Sequence, residues 1–99
     1  MLITAPRGRR AELLAKGLVT ERLAACVNVV PGVISHYRWQ GRLQRDKECL
    51  LIVKTTAARL TALKRWVSTH HPYTVPEVIA LPVKEGSKTY LGWLSEQVR

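Results

Sequence analysis

Apolar residues recur along this chain at two different spacings, and the switches between them outline its elements. Met1–Thr4 reads as a short strand stopped by Pro6. From about Gly8 to Leu23, the apolar residues Ala11, Leu14, Leu18 and Ala25 recur at three- to four-residue spacing with Glu12, Lys16, Glu21 and Arg22 between them, which predicts an amphipathic helix. Gly17 inside that helix costs about 1 kcal/mol relative to alanine, so close packing is expected there. Cys26–Val30 is β-branched and is punctuated by Pro31-Gly32; from Val33 the pattern alternates, with Val33, Ser35, Tyr37 and Trp39 on one side and Ile34, His36, Arg38 and Gln40 on the other. Gln40-Gly41 reads as a hairpin turn, with Leu43 and then Glu48–Thr55 as the return strand. Thr55 or Thr56 is the expected cap of a second helix with a Leu60, Leu63, Trp66 and Val67 face. Pro72 ends it, because a residue before proline is pushed out of the helical region. Pro76–Val83 is apolar enough for a strand buried on both faces, and Ser87 caps a last helix whose inner side is Leu91, Leu94 and Val98.

The order β-α-β-β-α-β plus a C-terminal helix predicts an α+β fold of the ferredoxin-like split β-α-β type: an antiparallel four-stranded sheet with two helices on one face. The hairpin between the second and third strands is too long for it. Fourteen residues from Val27 to Gln40 extend about 46 Å at about 3.3 Å each, whereas a compact domain of this length is about 33 Å across. The hairpin must bend at Pro31-Gly32, overhang the body, or both. An overhang carrying Ile34, Tyr37 and Trp39 is a sticky edge, and self-association is the expectation.

At 99 residues, with 46% hydrophobic and 23% charged residues, the whole chain 1–99 is expected to be a single globular domain with a thin core. No apolar run is long enough to span a bilayer, and no leader pattern opens the chain, so a cytoplasmic protein with no membrane partner is expected. Cys26 and Cys49 have neither metal nor redox spacing. Sixteen Lys and Arg against seven Asp and Glu give +9, which leaves acidic partners open. The arginines around the hairpin and Trp39 could serve RNA, but the aromatic-Gly-aromatic pattern of stacking sheets is missing and there is no Phe. Trp39 reads better as a subunit contact, and no specific nucleic acid is expected.

Candidate chemistry is sparse. His70 and His71 before Pro72 could offer two imidazole nitrogens to copper or zinc, or could simply sit at a helix C-terminus where the dipole favours them. Lys54 and Glu77, at strand ends, could face each other in a pocket or form an edge ion pair. No Ser-His-Asp or Cys-His arrangement and no Gly-rich phosphate loop is present, so no enzymatic reaction and no organic cofactor is expected.

Thr4-Ala5-Pro6, Glu21–Asn28, Pro31-Gly32-Val33, Tyr37–Gly41, Val53-Lys54-Thr55, His70–Tyr73, Pro76–Pro82 and Tyr90–Leu94 together closely resemble the CutA divalent-cation-tolerance family, in order and over essentially the whole chain. The resemblance implies a ferredoxin-like protomer, a homotrimer built by extended hairpins, and a tolerance role towards divalent metals, copper especially. It places His70 and His71 at the family's copper-ligand positions, with Ile3 where a third ligand, a cysteine, is described. The expected ion is therefore copper(II) or another divalent cation, weakly bound. The alternative is a non-enzymatic binding or signalling trimer for an anionic small molecule or acidic partner, in inter-subunit clefts near Lys54, Trp39, Tyr73 and Glu77. Three copies of a +9 chain would carry +27, so heparin or nucleic acid should adhere non-specifically and weaken with salt.

Overall fold

Every residue from 1 to 99 is described in the computed structural model. The elements run β1 (Leu2–Pro6), α1 (Arg9–Thr20), β2 (Cys26–Trp39), β3 (Arg42–Lys54), α2 (Leu60–His70), β4 (Val78–Ile79) and α3 (Lys88–Gln97). The sheet order is β2-β3-β1-β4, antiparallel throughout, as the split β-α-β plan requires. Successive strand side chains alternate between faces, and the helix-facing set is Ile3 and Ala5 on β1 with Cys49, Leu51 and Val53 on β3. Ala11, Leu14 and Leu18 of α1 and Leu63 and Val67 of α2 close that core from above. A smaller cluster of Ala25, Leu94 and Val98 attaches α3.

Gly17 is the point where the two helices touch. A Cβ there would sit 2.6 Å from Cη2 and Cζ2 of Trp66, which explains why a helix-weakening residue stands mid-helix. At the tip of the hairpin, Gln40 (φ 51) and Gly41 (φ 77) both take the positive φ that a two-residue turn of matching twist demands.

The long hairpin both bends and overhangs. Pairing of β2 with β3 shifts register between Val30 and Val33, where Pro31 has no N–H to donate and Gly32 takes φ 79. β1 follows β3 only as far as the Pro6–Glu48 pair, so Ile34–Lys47 is a two-stranded arm without a third strand. The molecule is accordingly 45 Å long and only 26 by 22 Å across.

Three local expectations change. Neither Thr55 nor Thr56 caps α2: a single 3₁₀ turn, Ala57–Arg59, intervenes, and the Thr55 hydroxyl instead donates to the Leu23 carbonyl at 2.7 Å. β1 runs on through Pro6, and α1 stops at Thr20. The run Pro76–Val83 is not a strand buried on both faces. Only Val78 and Ile79 pair with β1, and Ile79, Leu81 and Val83 are 50%, 63% and 72% exposed. An apolar run of that kind has nothing in its own chain to pack against.

Candidate functional site

Where the arm leaves the body, a cleft of about 690 Å³ opens between the hairpin and the segment that follows α2. β2 contributes Ser35, His36, Tyr37 and Trp39, β3 contributes Asp46 and Glu48, β1 contributes Thr4, and the loop contributes Pro72–Val75 and Glu77. Three carboxylates and no lysine or arginine line a cleft in a chain of net charge +9. That inversion is the chemical signature of the site.

The loop is fixed by one hydrogen-bonded series. Pro72 holds His71 extended (φ −77, ψ 138), which ends α2 and turns the chain over the end of the sheet. The His71 ring is 7% exposed; its Nε2 lies 2.7 Å from the Thr4 carbonyl, and the Tyr73 N–H donates to its Nδ1 at 3.1 Å. A carbonyl can only accept and an amide N–H can only donate, so the proton sits on Nε2 and both nitrogens are engaged. Tyr73 then donates its hydroxyl to Glu48 Oε2 at 2.8 Å, and Glu48 is 6% exposed. Burial first, and the Glu48 hydrogen bond second, hold the Tyr73 phenol far above its ordinary pKa. On the arm, the Tyr37 hydroxyl donates to Asp46, and that bond raises the Tyr37 phenol too. Glu77 is the one cleft carboxylate with no hydrogen bond or ion pair.

Of the residues singled out from the sequence, Trp39, Tyr73 and Glu77 come together in this cleft and Lys54 does not. Lys54 ends β3 opposite Cys26, whose Sγ its Nζ approaches to 3.9 Å. His70 and His71 do not form a ready chelate. His71 would have to give up a structural bond to bind an ion, and His70 is stacked on Trp66 with Nδ1 2.8 Å from the Trp66 carbonyl, which leaves only its Nε2. Ile3, where the resemblance implies a cysteine, is 1% exposed in the core cluster with Leu18, Leu63 and Val67, so a thiol there would lie in the dry core. Within one chain no three of His, Cys, Asp and Glu converge to hold a metal ion.

Asp46, Glu48 and His36 were not singled out from the sequence, and Tyr37 reads from it only as part of the sticky edge. Arg45-Asp46-Lys47-Glu48 reads as solvated charge. The available signal was parity: Glu48 shares a face with Leu50 and Ile52, where a carboxylate is out of place.

The CutA1 divalent ion tolerance protein family matches residues 1–97. The chain belongs to the CutA1 family. It is 56% identical over 96 residues to the divalent-cation tolerance protein CutA of Thermus thermophilus, covering 97% of this chain and 93% of that protein. Protein CutA 1, chloroplastic, of Oryza sativa is 48% identical over 97 residues, covering 98% of this chain and 55% of the relative, and Homo sapiens protein CutA is 43% identical over 94 residues, covering 95% and 52%. The chain thus spans nearly all of the bacterial CutA but about half the length of these plant and human ones. Among solved structures, CutA1 from Thermus thermophilus superposes with a TM-score of 0.96 at 55% identity, covering 99% of this chain and 95% of that one. CutA1 from Oryza sativa gives 0.96 at 48% identity, covering 99% and 90%. The ferredoxin-like reading of the sequence is the CutA1 fold, and no helix of this member is long and apolar enough to cross a membrane.

Proposed function

We propose that this CutA1 chain is a cytoplasmic, homotrimeric binding protein for divalent cations, copper(II) foremost, and not an enzyme. The observation that carries the cation reading is the inverted charge of the cleft: Asp46, Glu48 and Glu77 face it, while the cations of a +9 chain lie elsewhere. A cleft of that sign concentrates cations against the net repulsion of the protein. Binding is weak in one chain, because His71 is already engaged, the free Nε2 of His70 lies beside the cleft and not in its lining, and the unpaired ligating groups of the cleft itself are His36 and Glu77. The remaining ligands come from a second copy. What supports assembly is the arm, with Ile34, Tyr37, Trp39 and Leu43 exposed, together with the uncovered run Ile79–Val83. Both are more apolar than a monomer normally leaves in water. An anionic ligand is the weaker reading, since the walls contributed by one chain hold no Lys or Arg.

The test has two arms. Sedimentation at micromolar concentration should give about three protomers, and a stable monomer overturns the assembly. Copper(II) titration at neutral pH should give a weaker constant for His70→Ala and for Glu77→Gln than for the parent chain. Unchanged affinity in both variants overturns the cation site. His70→Ala replaces the double histidine variant because His71 ties the loop to β1 and its loss would disturb the fold.

A further inference from the structure

The surface of the protomer is divided by character. Of the large apolar side chains left exposed, only Leu13 and Val19 lie on the helical layer; the rest lie on the arm, around the sheet edges and on α3. Charge is distributed the other way. Residues 7–22 and 59–70, which are α1 and α2 with the turns beside them, hold eight of the sixteen lysines and arginines but only two of the seven acids. The single ion pair of the chain joins Arg99 to Glu96, so no cation on the helical layer is neutralised by a carboxylate. Arg22 and Arg59 bond backbone carbonyls, whereas Arg9, Arg10, Lys16, Lys64 and Arg65 are exposed and uncommitted.

Set into this layer is a slot of about 230 Å³ walled by Arg10, Leu13, Leu14, Trp66, His70 and Pro72. Trp66 and His70 are stacked there, ring centroids 4.1 Å apart and planes within 14°. The hydrogen bond between His70 Nδ1 and the Trp66 carbonyl fixes the imidazole, so one ring face lies on Trp66 and the other is open. The slot is below the size of a drug-like pocket and suits one flat ring.

We infer that the helical layer binds single-stranded nucleic acid without regard to base sequence, its phosphates meeting the free arginines and lysines and one base lying in the slot against His70. This surface is separate from the acidic cleft and does not rest on the cation reading, although the two share His70. Arginine forks match phosphate oxygens two at a time, and backbone charge combined with base stacking is how single strands are held without sequence readout. A duplex satisfies only half of the surface, because its bases are stacked away from any slot. An anionic lipid surface would want apolar side chains to insert, and Leu13 and Val19 are too few.

The test is fluorescence anisotropy of the full chain with a labelled twenty-nucleotide oligo-dT, in EDTA so that no cation occupies His70. Log affinity should fall with log salt with a slope of about −3.5, which is five phosphate pairs at about 0.7 each for a single strand. Lys64→Glu/Arg65→Glu should weaken binding at least tenfold. His70→Ala should weaken it about fivefold, the lower end of what one stacked base contributes, without changing the salt slope. Lys84→Glu/Lys88→Glu, the same charge change away from the layer, should stay within about twofold. Equal losses in the two reversal variants would mean that net charge alone attracts the strand, which overturns the assignment. So would a duplex of equal length binding as tightly as oligo-dT, an unchanged His70→Ala, or binding to phosphatidylserine vesicles with none to oligo-dT.

Discussion

Replacing Gly17 by alanine sets two effects of opposite sign against each other, and the structure decides which wins. In an open helix the change would stabilise by about 1 kcal/mol, because glycine loses more backbone freedom on folding and leaves the backbone to water. Here the new methyl would meet Cη2 and Cζ2 of Trp66 at 2.6 Å. Carbon atoms are comfortable at about 3.5–4.0 Å, so the indole must retreat by about 1 Å. It cannot do so freely, since it is also packed against the core and stacked on His70, whose imidazole is fixed to the Trp66 carbonyl. Overpacking of this kind costs about 1–3 kcal/mol, which leaves a net loss of about 1 kcal/mol. For a domain of this size that is a melting temperature lower by about 4–8 °C. The assay is thermal unfolding followed by far-UV circular dichroism, at one fixed protein concentration because association shifts the midpoint. Trp66→Leu supplies the control: with the indole gone, Gly17→Ala should become stabilising by about 0.5–1 kcal/mol. If Gly17→Ala raises the midpoint equally in both backgrounds, the contact between the helices is not what selects glycine.

Two further outcomes follow from the loop that closes the cleft and from the tyrosines. Tyr73→Phe leaves the Glu48 carboxylate buried without its donor and should cost about 1–3 kcal/mol in urea unfolding, whereas Glu48→Gln keeps an acceptor for the phenol and should cost less; the reverse order would remove the Tyr73–Glu48 bond from its structural role. All three tyrosines have phenols held above the ordinary value of about 10: Tyr37 chiefly by its bond to Asp46, Tyr73 and Tyr90 chiefly by burial. A pKa raised in the folded state contributes stability that is present below about pH 10 and is lost as pH climbs through the folded value. Phenolate absorbance of the native chain at about pH 10 should therefore stay well under half of its maximum, and reach half in urea; native and unfolded curves that coincide would contradict these environments.

How far the sequence speaks depends on whether the partner of a residue lies close by in the chain. The α1 period, the Gln40-Gly41 turn, the Pro72 stop and the Ser87 cap, which accepts from the Tyr90 N–H at 3.1 Å, are all local, and each could be read directly; at Gly17 the sequence signals a close contact but not that Trp66, far along the chain, makes it. His71 could not. Its nitrogens are taken by Tyr73 nearby and by Thr4, which is 67 residues away, and no spacing rule reveals that a candidate ligand is already occupied. Asp46 and Glu48 were hidden by their basic neighbours, although the strand register puts Glu48 beside the body of the protein. The run Pro76–Val83 misled for a different reason: its apolarity is real, but Ile79, Leu81 and Val83 meet no covering surface within the same chain.

The sheet also has two unlike free edges, a fourteen-residue β2 on one side and a two-residue β4 on the other. An open sheet of this kind has a head and a tail, so copies that add edge to edge do so in one direction, and only the turn between successive copies determines whether the series closes on itself or runs on as a fibre. In such a series the bend at Pro31-Gly32 would help to set that turn. Straightening it would leave every protomer folded, yet could exchange a closed, countable particle for an unending one.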